Sequence, residues 1–289
     1  SMLCAAAIPS VLAMSAGAAS ASGDLNGDGS VTAADVAILQ TSLLGGTALT
    51  AEQYANADVT GDGAVDGLDL TRLRQMAAVV PVSDAIAIHL SDSGITVEGD
   101  TKGVTAVSGK TVTISASGNY TVDGSITDGQ ILVNIPDTTA DSDAVSLYLQ
   151  DVTMTSSTGA PCILGQSAKK LKLTCSGENT LTDTAAEANA DTSGVIYGDC
   201  DITVTKNSTG TLNITSSMNT AIRSKDDIKL NGGAVVINTD VDDTSDADAI
   251  RANNTLEVDG ASVSITSSAD GLKSSKEDVS ILSGKVSIK

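Results

Sequence analysis

The chain has 289 residues, and 36 Asp and Glu against 16 Lys and Arg leave a net charge of −20. A surface this acidic repels a phosphate backbone, so nucleic acid is excluded as a partner. Phe and Trp are absent and Tyr54, Tyr120, Tyr148 and Tyr197 are the only aromatics. The core must therefore be aliphatic, and no flat aromatic strip for stacking on sugar rings can be assembled.

Residues 1–21 read as the tail of a secretory signal peptide. An apolar stretch from Met2 to Met14 leads to small residues and the cleavage pattern Ala19-Ser20-Ala21. The charged segment that opens such peptides is missing, so a piece of a longer, secreted precursor is expected. The apolar run is too short to span a bilayer.

Two copies of one loop pattern follow, beginning at Asp24 and Asp58. Oxygen-bearing side chains stand at loop positions 1, 3, 5, 9 and 12: Asp24, Asn26, Asp28, Thr32 and Asp35, then Asp58, Thr60, Asp62, Asp66 and Asp69. That spacing gathers oxygens around a hard cation. Gly29 and Gly63 stand at position 6, where the backbone turns sharply to bring the next carbonyl inward. Each loop runs into an apolar helical pattern: Val36, Ile38, Leu39, Leu43 and Leu44, then Leu70, Leu73 and Met76. No amphipathic helix precedes either loop. Between them, Thr50-Ala51-Glu52-Gln53 reads as a capping box opening a short helix.

Residues 24–80 closely resemble the type I dockerin family, calcium-dependent modules that plug proteins into cellulosomal scaffolds. The resemblance implies two Ca2+ ions and a cohesin partner. One site would use Asp24, Asn26, Asp28, the Ser30 carbonyl, Thr32 through water, and Asp35. The other would use Asp58, Thr60, Asp62, the Ala64 carbonyl, Asp66 and Asp69. Family members contact cohesin through loop positions 10 and 11, here Ala33, Ala34, Gly67 and Leu68, with Arg72 and Arg74 as rim residues. The two copies differ at these positions and lack a frequent hydroxyl pair.

The module is assigned to residues 22–80, with a linker at 81–84 around Pro81. From residue 85 to 289 helical periodicity gives way to short alternating runs such as Thr111-Val112-Thr113-Ile114, punctuated by Ser, Thr, Asn, Asp and Gly. Later the runs repeat. Ala221-Ile222-Arg223 leads to Ile228-Lys229-Leu230, Ala249-Ile250-Arg251 to Leu256-Glu257-Val258, and Gly271-Leu272-Lys273 to Val279-Ser280-Ile281. Val195-Ile196-Tyr197 opens a looser copy. Units of roughly 22 to 33 residues must stack to bury their aliphatics. The fold class expected is mainly β, a right-handed parallel β-helix preceded by the small all-α module, and the solenoid is expected to be cut short at its C-terminus. Cys162, Cys175 and Cys200 read as buried free thiols.

Segments including Glu178-Asn179-Thr180-Leu181-Thr182-Asp183, Ser224-Lys225-Asp226-Asp227 and Ala269-Asp270-Gly271-Leu272-Lys273 resemble the β-helix "carbohydrate-binding domain-containing" proteins of cellulosome-forming bacteria. That family is related in fold to the family-nine polysaccharide lyases. The resemblance implies calcium-assisted binding of plant cell-wall polysaccharide, polygalacturonate or a cellulose-like glucan.

Chemistry concentrates in the later repeats. Asp240, Asp242, Asp243, Asp246 and Asp248 crowd one insertion, with Asp270 matching Asp248 one repeat later and Asn219 one repeat earlier. Stacked carboxylates repel unless a cation lies between them, and calcium is the expectation there. A basic row of Arg223, Arg251 and Lys273, with Lys225 and Lys276 nearby, would suit the carboxylates of a polyuronate. Two alternatives stand beside a sugar-binding module. One is a calcium-dependent pectate-type lyase with a lysine base; the other is a structural solenoid that binds no sugar. The single His89 disfavours a Ser-His-Asp triad.

Overall fold

The computed structural model describes residues 23–27, 31, 33–77, 85–239 and 247–289, with only the backbone of 33 and 75–77. Expectations for residues 1–21, Asp28, Ser30, Thr32, the 81–84 linker and Asp240, Asp242, Asp243 and Asp246 fall outside them. The chain divides into two compact units, Ser1–Ala77 and Ala78–Lys289. Among the described residues no helix is long and apolar enough to cross a membrane.

The described residues of the first unit hold three helices, α1 (Ala33–Leu43), α2 (Ala51–Ala57) and α3 (Gly67–Ala77). Leu25, Leu39, Ala57 and Leu73 form its buried centre, with Val36, Ile38 and Leu70 packed around it. The capping box at α2 forms as the sequence suggests. Gln53 N–H donates to Thr50 Oγ1 at 3.2 Å, and Thr50 N–H donates to Gln53 Oε1 at 3.0 Å.

The second unit is mainly β. It opens with two antiparallel hairpins, β1 (Ile86–Ser91) with β2 (Gly94–Glu98) and β3 (Thr105–Ser108) with β4 (Thr111–Ile114). Then come β5 (Gly118–Thr127), β6 (Gln130–Asn134), β7 (Ala144–Ser156), β8 (Ile163–Ser167), β9 (Lys170–Ser176) and β10 (Glu178–Asp183). The later repeats supply β11 (Ile196–Gly198), β12 (Asp201–Val204), β13 (Thr211–Ser216), β14 (Ile222–Ser224), β15 (Ile228–Leu230) and β16 (Ala234–Asn238). The last four strands are β17 (Ile250–Ala252), β18 (Leu256–Thr266), β19 (Leu272–Ser274) and β20 (Val279–Ile288).

They assemble into two sheets. The eight-stranded sheet runs β19-β17-β14-β11-β8-β6-β4-β3, and the other has 12 strands. Every pairing outside the opening hairpins is parallel, and neighbours in the sheet come from successive repeats. Equivalent residues therefore face each other: Ile196 pairs with Ile222, Ile222 with Ile250, and Ile250 with Leu272. Alternate residues of most strands point into one continuous, largely aliphatic core; β3 and β20, at the sheet margins, stay mostly exposed.

Corners between strands use glycine and one buried amide. Gly177 has φ +61°, and a Cβ on Gly210 would collide with the Gly177 backbone, so side chains are excluded where the turns stack. Fully buried Asn179 accepts from Val152 N–H at 3.1 Å and donates to the carbonyls of Ser176 and Thr211 at 2.9 and 3.2 Å. It satisfies backbone groups that the bend removes from the ladders.

Two predictions follow from this packing. Asn179→Ala orphans those groups and should cost about 3 kcal/mol in urea unfolding. Burial pushes the thiols of Cys162, Cys175 and Cys200 up to about 12, and all three are free. A thiol reagent at neutral pH should leave all three unmodified in the native protein and label them together once it unfolds.

Candidate functional site

In the helical unit the second acidic loop is the better described. Gly63, at its turn position, has φ +85°. Asp58 accepts from the N–H groups of Gly61, Asp62 and Gly63 at 2.8, 3.1 and 2.9 Å, which folds the loop around its carboxylate. Asp69, on α3, is fully buried and accepts from Thr60 N–H, Thr60 Oγ1 and Asp66 N–H. Burial alone would raise its carboxyl pKa, but these donors outweigh burial and hold it below the ordinary value. Carboxylate oxygens of Asp58, Asp62 and Asp69 lie within 4.8 Å of one another. Three converging carboxylates form an all-oxygen, hard donor set that fits a divalent cation and repels itself without one.

The first loop shows the same plan where it is described. Asp35 Oδ1 accepts from the N–H groups of Leu25 and Asn26 at 2.8 and 3.0 Å, and Asp24 Oδ1 accepts from Gly27 at 2.7 Å. Asp24 and Asp35 are both buried. Of the residues expected to meet a partner, Ala34 and Gly67 are exposed and Leu68 is 64% exposed. Arg72 is half-buried, and Arg74 donates to Gln40 on α1 at 2.9 Å.

In the β unit the register places Tyr197, Arg223, Arg251 and Lys273 in one outward row, on β11, β14, β17 and β19. The three basic residues expected from the repeat are thus neighbours. Tyr197 was missed as their fourth member, though its place after Val195-Ile196 matches that of Arg223 after Ala221-Ile222. The Arg223 guanidinium and the Lys225 ammonium lie 5.8 and 5.6 Å from the centre of its ring, within cation–π range. Tyr197 is 1% exposed, and its buried hydroxyl faces the Lys225 ammonium. Arg223, Ser224, Lys225, Arg251, Asn253 and Ser275 line an open cavity of about 240 Å³.

The cations are unequally paired. Lys225 Nζ sits 2.8 Å from Asp199, which sequence reasoning did not single out. Buried Asp248 lies 3.6 Å from Arg251 and 3.4 Å from Lys273, while Asp270 lies 2.7 Å from Lys273. The Lys273 ammonium thus contacts both stacked carboxylates, at which sequence reasoning also expects a cation. Asn219 stands one residue off their row. It is buried and donates to Asp183 at 2.8 Å; Thr220 occupies the matching position. Arg223 has no carboxylate partner among the described residues.

Hydrogen bonds to Asp199 and Asp270 raise the pKa values of Lys225 and Lys273 above the usual 10.5. Both are held as ammonium ions, the wrong state for a base that abstracts a proton. His89 Nδ1 meets Asp123 at 2.9 Å on the adjacent strand, far in sequence from this row. A further acidic group, Asp201, Asp226 and Asp227, was not foreseen. Its Asp226 accepts from Asn254 at 2.6 Å and its Asp227 from Thr255 N–H at 2.9 Å.

Comparison with known proteins places these features among relatives. Residues 108–289 match the family described as Carbohydrate-binding domain-containing protein, and residues 22–76 match the Dockerin type I domain. A carbohydrate-binding domain-containing protein of Acetivibrio thermocellus is 33% identical over 138 residues, which cover 46% of this chain and 46% of the relative. The chain thus spans about half the length of that curated relative. Among solved structures, the polysaccharide lyase-like protein from C. thermocellum, as a gadolinium derivative, aligns with a TM-score of 0.44 at 21% identity. That alignment covers 71% of this chain and 97% of the other.

Asp248 is the shared counterion of Arg251 and Lys273, so Asp248→Asn should destabilise the β unit by about 2 kcal/mol. A raised lysine pKa contributes stability in full below 10.5 and loses it only as pH climbs through the folded value. The loss in melting temperature should therefore be the same at pH 6 and pH 9.

Proposed function

Because the chain belongs to the carbohydrate-binding domain-containing protein family and carries a type I dockerin domain, we propose that it is a secreted cellulosomal component that holds plant cell-wall polysaccharide. In this reading the β unit winds as a right-handed parallel β-helix occupying residues 85–289. The helical module, residues 22–80, docks to the cohesin of a scaffold. Calcium would be held by Asp58, Asp62 and Asp69 with Thr60, Asp66 and the Ala64 carbonyl, and by the equivalent first-loop residues. Its chemistry there is charge neutralisation, which lets the acidic loops close and fixes α1 and α3. Exposed Leu68, with Ala34 and Gly67, supplies the apolar surface for cohesin.

The observation that carries the sugar-binding part is Arg223. In a chain of net charge −20, it stands beside Arg251 without a carboxylate partner among the described residues, and it lines a cavity. Neighbouring guanidinium groups on parallel strands lie about 4.8 Å apart and repel each other. A ligand carboxylate between them relieves that repulsion and takes up bidentate hydrogen bonds. A polyuronate such as polygalacturonate supplies carboxylates along one chain, and Tyr197 backs the cations. Lys225 and Lys273 stand as ammonium ions held by Asp199, Asp248 and Asp270, which leaves neither as a ready base and favours holding the polymer over cleaving it.

Calorimetric titration of the full chain with polygalacturonate tests this. We expect saturable binding that weakens with salt, and Arg223→Ala with Arg251→Ala should each reduce affinity roughly tenfold or more, about 1.4 kcal/mol. Absorbance near 235 nm should stay flat, since a rise would establish lyase chemistry instead. EDTA should abolish capture by immobilised cohesin. Equal affinity in both arginine variants would remove this site from the reading.

A further inference from the structure

The outward row of the eight-stranded sheet changes character at Tyr197. Leu164 on β8, Tyr197 on β11, Arg223 on β14 and Arg251 on β17 stand opposite one another in unbroken register. Tyr197 therefore joins a half-buried aliphatic neighbour on one side to two successive guanidinium groups on the other. It is buried, yet the Arg223 guanidinium lies 5.8 Å and the Lys225 ammonium 5.6 Å from the centre of its ring. Asp199, 2.8 Å from Lys225, neutralises the second of these cations. A Cβ on Gly194 would stand 3.3 Å from the Cβ atoms of both Tyr197 and Arg223, so a larger residue there would crowd the pair.

Arg223 has unequal neighbours. On one side Arg251 repels it across the strand spacing of about 4.8 Å. On the other, the negative face of an aromatic ring attracts a cation, and more strongly where water is excluded. No carboxylate among the described residues competes for the guanidinium. An aliphatic residue at position 197 would offer no such attraction, and a cation there would add a second repulsion.

We propose that Tyr197 is a positioning residue, whose ring holds the Arg223 guanidinium away from Arg251 and keeps the space between them open before any ligand arrives. Arg223, Arg251 and Lys225 line one cavity of about 240 Å³, so that space is ready for an anionic group. A free arginine gives up rotamer freedom when it binds. One already seated on a ring has little left to lose, and affinity rises without a new ligand contact. Tyr197, being buried, acts through Arg223 and need not touch the ligand itself. This inference rests on the proposed binding of a polyuronate by the arginines, but the seating of Arg223 can be read in the ligand-free protein.

Nitrogen-15 relaxation of the arginine Nε–H groups in the full chain is the test, since Arg72, Arg74, Arg223 and Arg251 are its only arginines. The signal lost in Arg223→Ala identifies that residue. Without ligand, Arg223 should be as ordered as the folded backbone in the parent and in Tyr197→Phe, and as mobile as a free side chain in Tyr197→Leu. Arg251, 3.6 Å from Asp248, should keep its order in all three. Affinity for polygalacturonate should fall roughly fivefold in Tyr197→Leu and be restored in Tyr197→Phe. Should the leucine variant fail to fold, Tyr197→Met takes its place with the same expectations.

A mobile Arg223 in the parent overturns the proposal without any variant. So does an Arg223 that stays ordered, or an affinity that stays unchanged, once the ring is removed. Equal loss of order at Arg251 overturns it too, because Tyr197 would then support the whole unit and not this side chain. A parent that ignores polygalacturonate while its Arg223 is ordered by Tyr197 refutes the function proposed above and leaves the positioning intact. Binding of the polymer with a mobile Arg223 refutes the positioning alone.

Discussion

Parallel pairing of successive repeats, residue opposite equivalent residue, governs the β unit. It stacks Ile196 on Ile222, Ile250 and Leu272 inside, and Tyr197 on Arg223, Arg251 and Lys273 outside. Stacking like on like favours aliphatics, which gain dispersion contacts and lose water. For charges the same geometry is costly, because every step of the ladder brings equal signs within about 4.8 Å. The fold thus tolerates a charged row only with counterions or a function for the unpaired charge.

Both outcomes occur along one row. Lys273 bridges Asp248 and Asp270, and Arg251 shares Asp248, so that end of the row is closed by its own carboxylates. One strand earlier, Arg223 leans over Tyr197 with its guanidinium facing the cavity. Lys225 is drawn aside by Asp199. The acidic excess of the chain makes the unpaired arginine more informative than a basic residue on a basic protein would be. Carboxylates were abundant, and none of those described was placed beside it.

Much of this was legible in the sequence, and the gaps have physical causes. The acidic loops could be read because cation binding fixes spacing along the chain, from Asp58 through Gly63 to Asp69. The Arg223–Arg251–Lys273 row could be read because apolar Ile or Leu precedes each at the same position. Tyr197 escaped because its residue type differs, although its position did not. Asn219 was placed one residue wrongly because turns vary in length, and only the hydrogen-bond ladder shows that Thr220 holds the matching place. The contacts of Lys273 with Asp248 and Asp270 escaped for another reason, because a sequence carries no distances between side chains.

The amino-acid economy of the chain ties these features together. Without Phe or Trp, the core relies on Val, Ile and Leu in stacked layers, with Tyr120 its one aromatic among the described residues. Stacked layers give outer faces that repeat at the strand spacing. A polymer also repeats at a fixed interval, so a small advantage at one contact recurs along its length. Residues that would be unremarkable singly, such as an arginine without a carboxylate partner among the described residues, acquire meaning through repetition. Affinity in such a protein depends on register more than on any single pocket, because a slip of one residue in a strand of the row turns its outward side chains inward and its core side chains outward.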